Sequence, residues 1–211
     1  MNFSYHPPLL IQKLFRNFIW ETSNNKILLT FDDGPTESAT LKILSVLRAN
    51  KIKSVFFCIG NNIKTHPVLA EKILEDGHII ANHTMNHKLF TSIKRAEAGE
   101  EISTFNDLMK EKFGYKIKYF RPPHGRFNLK TNSILNEQNL KCIMWNLLSH
   151  DYENKIEKVK YGVDKYLKEN SIVVFHDNIK CSEIIEESLN YTIEIAANNN
   201  FKFGEPEDCL K

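Results

Sequence analysis

The sequence predicts an α/β fold, a small (β/α) barrel in a single domain, and three observations carry that prediction. From about residue 25 onward, short and almost continuously apolar runs alternate with longer helical stretches. Strands that are apolar along their whole length are buried on both faces, as parallel strands covered by helices are. Polar residues collect at the C-terminal ends of these runs, the rim where barrel enzymes place their chemistry. At 211 residues, 42% of them hydrophobic, the chain has room for one large core and little for a second.

The elements follow in chain order. Residues 1–24 are read as an N-terminal extension packing on the barrel, and residues 25–211 as the barrel domain. Strands are expected at 26–32 (KILLTFD), 54–59 (SVFFCI), 78–82 (HIIAN), 117–121 (IKYFR), 141–147 (KCIMWNL), 171–176 (SIVVFH) and 201–203 (FKF). Helical periodicity fills 37–50, 67–75, 93–113, 130–137, 156–168 and 182–197. Gly77, Gly114 and Asn170 fall where helix C-termini favour a left-handed residue. A doubly wound nucleotide fold would carry a glycine-rich loop after the first strand. The sequence there is DDGPTES, with one glycine and neither a GxGxxG nor a Walker pattern.

Charge and cysteine usage narrow the partners. The formal net charge is +2, from 28 basic and 26 acidic side chains scattered along the chain, so no footprint for nucleic acid or an anionic membrane emerges. Cys58, Cys142, Cys181 and Cys209 form no CxxC pair and are read as reduced core thiols. The N-terminus has no basic start, and Gln12, Lys13, Arg16 and Asn17 interrupt its apolar residues, so neither a signal peptide nor a membrane span is expected. A cytoplasmic location follows, with loss of an export leader as the alternative. The sequence leaves the oligomeric state open.

The rim residues carry the chemistry. They are Asp32-Asp33, Asn82-His83 with His87, Arg121 to His124, Ser149 to Asp151, and His176-Asp177. Two adjacent carboxylates at the tip of a buried strand are costly unless a cation compensates them. His83 and His87 are four apart, so one helical turn would put both imidazoles on one face. One aspartate then completes a two-histidine, one-carboxylate site, while its neighbour serves as base. Thr84, Met85 and Asn86 between the histidines exclude the HExxH protease pattern. The competing bland readings are an Asx turn before Gly-Pro and a structurally satisfied histidine pair. His6, His66, His78 and His150 are read as structural or solvated.

TFDDGP, NHTMNH, RPPHG, WNLLSHDY and IVVFHD, in that order, resemble the five motifs of the polysaccharide deacetylases, carbohydrate esterase family 4. The resemblance implies a distorted (β/α)7 barrel that removes acetyl groups from N-acetylated, or in some members O-acetylated, carbohydrate with a divalent metal. Zinc is the default, with cobalt, nickel and iron as alternatives. It implies Asp32 as general base, Asp33, His83 and His87 as metal ligands, and His176 as general acid. Arg121 would pair with Asp32, and Asp151 would orient His176. Pro123, His124, Trp145, Val174 and Phe175 are the substrate-binding candidates. His124 stands where the family usually has tyrosine, Leu148 where it has aspartate and Tyr152 where it has tryptophan, so one groove wall departs from the pattern. A non-haem iron oxygenase and a glycosidase fit the spacing worse. The second reading is a catalytically inactive, carbohydrate-binding descendant of the same barrel. No loop encodes which sugar is bound.

Overall fold

In the computed structural model, which describes residues 5–211, the chain runs α1 (Leu9–Leu14), β1 (Leu28–Asp32), α2 (Thr40–Ala49), β2 (Val55–Cys58), α3 (Gly60–Thr65), α4 (Pro67–Glu75), β3 (Ile79–Asn82) and α5 (Arg95–Phe113). It continues β4 (Tyr119–Phe120), α6 (Leu129–Glu137), β5 (Lys141–Cys142), β6 (Leu147–Leu148), α7 (Ile156–Tyr166), β7 (Ile172–His176), α8 (Ile185–Asn198) and α9 (Pro206–Cys209). The strands form one seven-stranded sheet in the order β5-β4-β3-β2-β1-β7-β6, and every pairing is parallel. With its helices this single domain is a distorted (β/α)7 barrel.

The distortion has a location. β5 and β6 are successive in the chain yet lie at opposite edges of the sheet, so the residues between them, Ile143 to Asn146, carry the chain across the gap. The expected single strand at 141–147 is therefore two short edge strands flanking a seam. Its apolar run reports burial correctly, but periodicity does not reveal that the carbonyls of Ile143 and Met144 go to the Arg121 guanidinium and not to a neighbouring strand. Ile19 covers the seam from the N-terminal side, donating its amide to Cys142 O at 2.9 Å and accepting from the Met144 amide at 2.8 Å. The expected strand at 201–203 is reduced to an isolated bridge between Phe203 and Ile27.

In the interior of the sheet, β1 and β7 pair over five residues, from Leu28 with Ile172 to Asp32 with His176. Side chains alternate along a strand, so Thr30, Asp32, Val174 and His176 share one face and Phe31 and Phe175 the other. Phe31 stacks on Phe56 at 4.8 Å and on Phe175 at 6.2 Å, building the layer between sheet and helices. Each such fully buried side chain contributes about 1.5–3 kcal/mol. α5 buries Ala98, Ile102, Phe105 and Met109, a helical spacing, and ends on Gly114 at φ 61°. All four cysteines are free and buried. Among the described residues no helix is long and apolar enough to cross a membrane.

Candidate active site

The register of β1 and β7 sets the first pair: Asp32 and His176 are neighbours at the C-terminal tips of adjacent strands. Asp32 is 6% exposed and would be an expensive buried charge alone. Arg121, just beyond β4 and fully buried, donates from Nη1 to Asp32 Oδ1 at 2.7 Å and to Thr30 Oγ1 at 2.8 Å. Its Nε and Nη2 donate to Ile143 O at 3.0 Å and Met144 O at 2.9 Å. The guanidinium carbon lies 4.0 Å from the centroid of the Phe57 ring, a further compensation for its burial. One cation thus serves both the carboxylate and the seam.

Asp33 leaves the strand at φ 79° and turns its side chain away from that of Asp32 into a separate cluster. Its Oδ1 lies 3.2 Å from His87 Nε2 and 3.7 Å from His83 Nε2, and the ligand atoms of the three residues all fall within 4.8 Å of one another. Asn178 donates to Asp33 Oδ2 at 2.8 Å, and Asn62 to its backbone carbonyl at 2.6 Å. Burial alone would raise the Asp33 carboxyl, but the His87 hydrogen bond and, first among the nearby charges, that of His176 hold it well below the usual range. His83, 1% exposed at the end of β3, is pushed down to about 4 chiefly by burial, so its imidazole is neutral at pH 7. Its Nδ1 lies 2.8 Å from Arg121 O, which fixes the proton there and leaves the Nε2 lone pair toward Asp33. One carboxylate oxygen and two imidazole nitrogens gathered this closely fit a divalent cation.

The histidine pair is not helical, contrary to the expectation from its spacing. Thr84 and His87 adopt left-handed conformations, φ 71° and 56°. Asn82 Oδ1 accepts from the Thr84 amide at 2.7 Å, and Thr84 Oγ1 from the His87 amide at 2.9 Å. These side chains replace the backbone bonds of a helical turn and still bring the two rings to 5.0 Å.

His176 is anchored from behind. Asp151, fully buried, accepts from His176 Nδ1 at 2.7 Å and from its amide at 2.8 Å, with Ser149 Oγ adding a bond at 2.8 Å. Burial alone would lower the His176 imidazole, but the charge and hydrogen bond of Asp151 outweigh it and raise the group to about 9. Its Nε2 is left for the cleft.

These groups meet in a cleft of about 1110 Å³ lined by Asp32, Asp33, His83, His87 and His176. Among the substrate-binding candidates, His124, Trp145 and Val174 line it, and the His124 ring lies 4.6 Å from that of His87. Phe175 and Pro123 do not. Strand alternation turns Phe175 away into the helix-facing core, and Pro123 is buried in the 3-10 turn that presents His124. Arg121 and Asp151 stand behind the lining. His150, read as structural or solvated, lines the cleft, as does Tyr152.

Sequence reasoning missed Asn178, which holds the Asp33 carboxylate. Asn178 lies two positions past His176, where its partner in the first loop leaves no local sign. Asp177 is buried and pushed up to about 7 by that burial; it accepts from Thr36 Oγ1 at 2.9 Å and Thr40 Oγ1 at 2.6 Å. A Cβ on Gly34 would come 2.2 Å from Asp177 Oδ2, so only glycine fits between the aspartate pair and Pro35.

A family profile described as polysaccharide deacetylase matches residues 20–143. A peptidoglycan-N-acetylglucosamine deacetylase of Bacillus cereus is 34% identical over 163 residues, covering 75% of this chain and 76% of that protein. The solved structure of the Bc1960 peptidoglycan N-acetylglucosamine deacetylase superposes with a TM-score of 0.87 at 23% identity, covering 94% of this chain and 95% of that one. Wild-type BA3943 of Bacillus anthracis, described as a CE4 family pseudoenzyme, gives a TM-score of 0.80 at 19% identity over 92% of this chain and 68% of its own. At these identities the structural likeness is one of fold, which an enzyme and a pseudoenzyme share, so the side chains in the cleft have to decide between them.

Proposed function

The chain belongs to the polysaccharide deacetylase family, and from that premise we propose that it hydrolyses the acetamide of an N-acetylated carbohydrate, with O-acetyl esters as the second substrate class. One observation carries this reading: the aspartate beside Arg121, the Asp33–His83–His87 cluster and the Asp151-backed His176 all face one cleft. The inactive alternative would leave that combination without a use.

Asp33, His83 and His87 would hold the cation, with zinc first for a mixed carboxylate and imidazole set and cobalt, nickel or iron(II) as alternatives. A bound divalent cation would supply Lewis acidity to the acetyl carbonyl and to water. Asp32, its Oδ1 anchored by Arg121, accepts a proton from the water that attacks the acetyl carbon. His176, protonated at neutral pH, gives the Nε2 proton to the departing nitrogen as the C–N bond breaks. The products are acetate and a free amino sugar. Asp151 keeps the His176 ring oriented through both steps.

The test is acetate release from a panel of acetylated glycans by zinc-loaded protein, together with metal analysis of the purified chain. Release that depends on added cation supports the reading. A protein that binds no cation and releases no acetate from any glycan favours the inactive descendant.

A further inference from the structure

We propose that Tyr5, from the segment ahead of α1 and outside the residues matched by the family profile, forms part of a subsite for a neighbouring sugar ring of an extended saccharide. The inference rests on the saccharide reading above and says which substrates within it are preferred.

Tyr5 lines the same cleft as His176 although it lies far from it in sequence. Its carbonyl accepts from the Leu148 amide at 2.8 Å, which straps the N-terminal segment onto the edge strand β6. The ring is fixed on three sides. It stacks on Tyr166 at 5.7 Å and 18°, meets Tyr161 at 5.4 Å and touches the His150 ring at 4.4 Å. Gly162 makes room for it, since a Cβ there would come 2.5 Å from Tyr5 Cδ1.

Beside it, the Tyr152 hydroxyl lies 3.0 Å from His150 Nδ1, which also faces the Glu153 carboxylate at 3.1 Å, and the Tyr152 ring sits 5.1 Å from His176. Leu148 gives this wall an apolar floor at the position where the family resemblance calls for aspartate. Glu153, ion-paired with Lys158, edges the same wall with a charge-balanced polar rim. A pre-placed aromatic surface with a polar rim is what a sugar ring needs: apolar C–H faces to stack, hydroxyls to hydrogen-bond, and little ordering cost on binding. The monosaccharide that reacts at His176 need not reach Tyr5, whereas the next ring of an oligomer lies along the wall.

The experiment uses the full chain loaded with zinc, with N-acetylglucosamine and its β-1,4 tetramer as probes and Tyr5→Ala, Tyr5→Phe and Gly162→Ala as variants. Tyr5→Ala raises KM for the tetramer about tenfold, the equivalent of roughly 1.4 kcal/mol, with kcat and the monosaccharide kcat/KM unchanged. Tyr5→Phe keeps the ring and stays near wild type, and Gly162→Ala, which displaces it, follows Tyr5→Ala. Calorimetric titration of the tetramer reads the same contrast without turnover. An unchanged tetramer KM and Kd in Tyr5→Ala, or an equal loss on both substrates, overturns the subsite. Tetramer binding without acetate release from the wild type would fail the deacetylase reading and leave the Tyr5 contrast to be read from Kd.

Discussion

The β1–β7 centre of the sheet and the β5–β6 seam contribute opposite halves of the cleft by different means. At the centre, a five-residue parallel ladder fixes Asp32 beside His176, and backbone hydrogen bonds do the positioning. At the seam no ladder runs from β5 to β6. Trp145 is placed there by a buried guanidinium that holds the carbonyls of Ile143 and Met144, and by the bridge to Ile19. The proton-transfer groups therefore sit on the longest strand pairing of the sheet, and the substrate wall on a part that one side chain organises. Arg121 is where the halves meet, and each variant below sets one half against the other.

The largest effect is expected from Arg121→Met. It strands the Asp32 carboxylate and frees two seam carbonyls, at a cost of about 3–5 kcal/mol, measured by urea unfolding. Adding Asp32→Asn to it should recover part of that loss. If the double variant is no more stable than the single one, Arg121 serves the seam and not the carboxylate.

Next come the paired aspartates at the centre. Asp32→Asn is expected to keep the cation and lose about 10²–10⁴-fold in kcat. Asp33→Asn should weaken cation binding in a calorimetric titration, because Asp33 alone of the two lies within reach of both imidazoles. Equal loss of cation in both variants would show that the turn after β1 does not separate the carboxylates.

A smaller change is expected from Asp151→Asn. In the wild type, kcat/KM should fall as pH rises through about 9, where His176 loses its proton. Removing the Asp151 charge takes away the largest effect raising that group, so the alkaline limb moves to lower pH with the cation retained. The same sign holds for stability. The folded value lies above the ordinary 6.5, so the interaction stabilises fully below that value and is lost as pH rises through about 9. An unmoved limb would remove His176 from the role of acid.

The smallest effect belongs to the seam. Gly125 has φ +61°, and a Cβ there would come 2.2 Å from Trp145 Cη2. Gly125→Ala should cost about 1–2 kcal/mol of left-handed strain and push the indole into the cleft. KM is expected to rise while cation affinity and the pH limb stay put. A shifted pH limb would mean that the wall and the chemistry are coupled more tightly than the ladder at the centre suggests.

The local pattern of the chain determined the alternation of strands and helices, the rim on which the polar residues gather, and the pairing of Asp32-Asp33 with His83 and His87. Those features follow from period, burial and valence, which a sequence carries residue by residue. It also marked Gly114 as a helix end, because a left-handed residue is needed there whatever the surroundings.

Tertiary structure decided the rest. The run 141–147 reads as one strand because burial is local, but whether its carbonyls meet a strand or a guanidinium depends on Arg121 arriving from β4. The histidines four apart read as a helical turn, yet the side chains of Asn82 and Thr84 captured the amides that a helix would have used. Phe175 and Val174 are equally apolar in sequence, and only the register with β1 turned one into the core and the other into the cleft. Asn178 on Asp33, Asp177 against Gly34 and Tyr5 beside His150 are contacts between segments distant in the chain. No local periodicity encodes them, because each exists only once the sheet has brought the partners together.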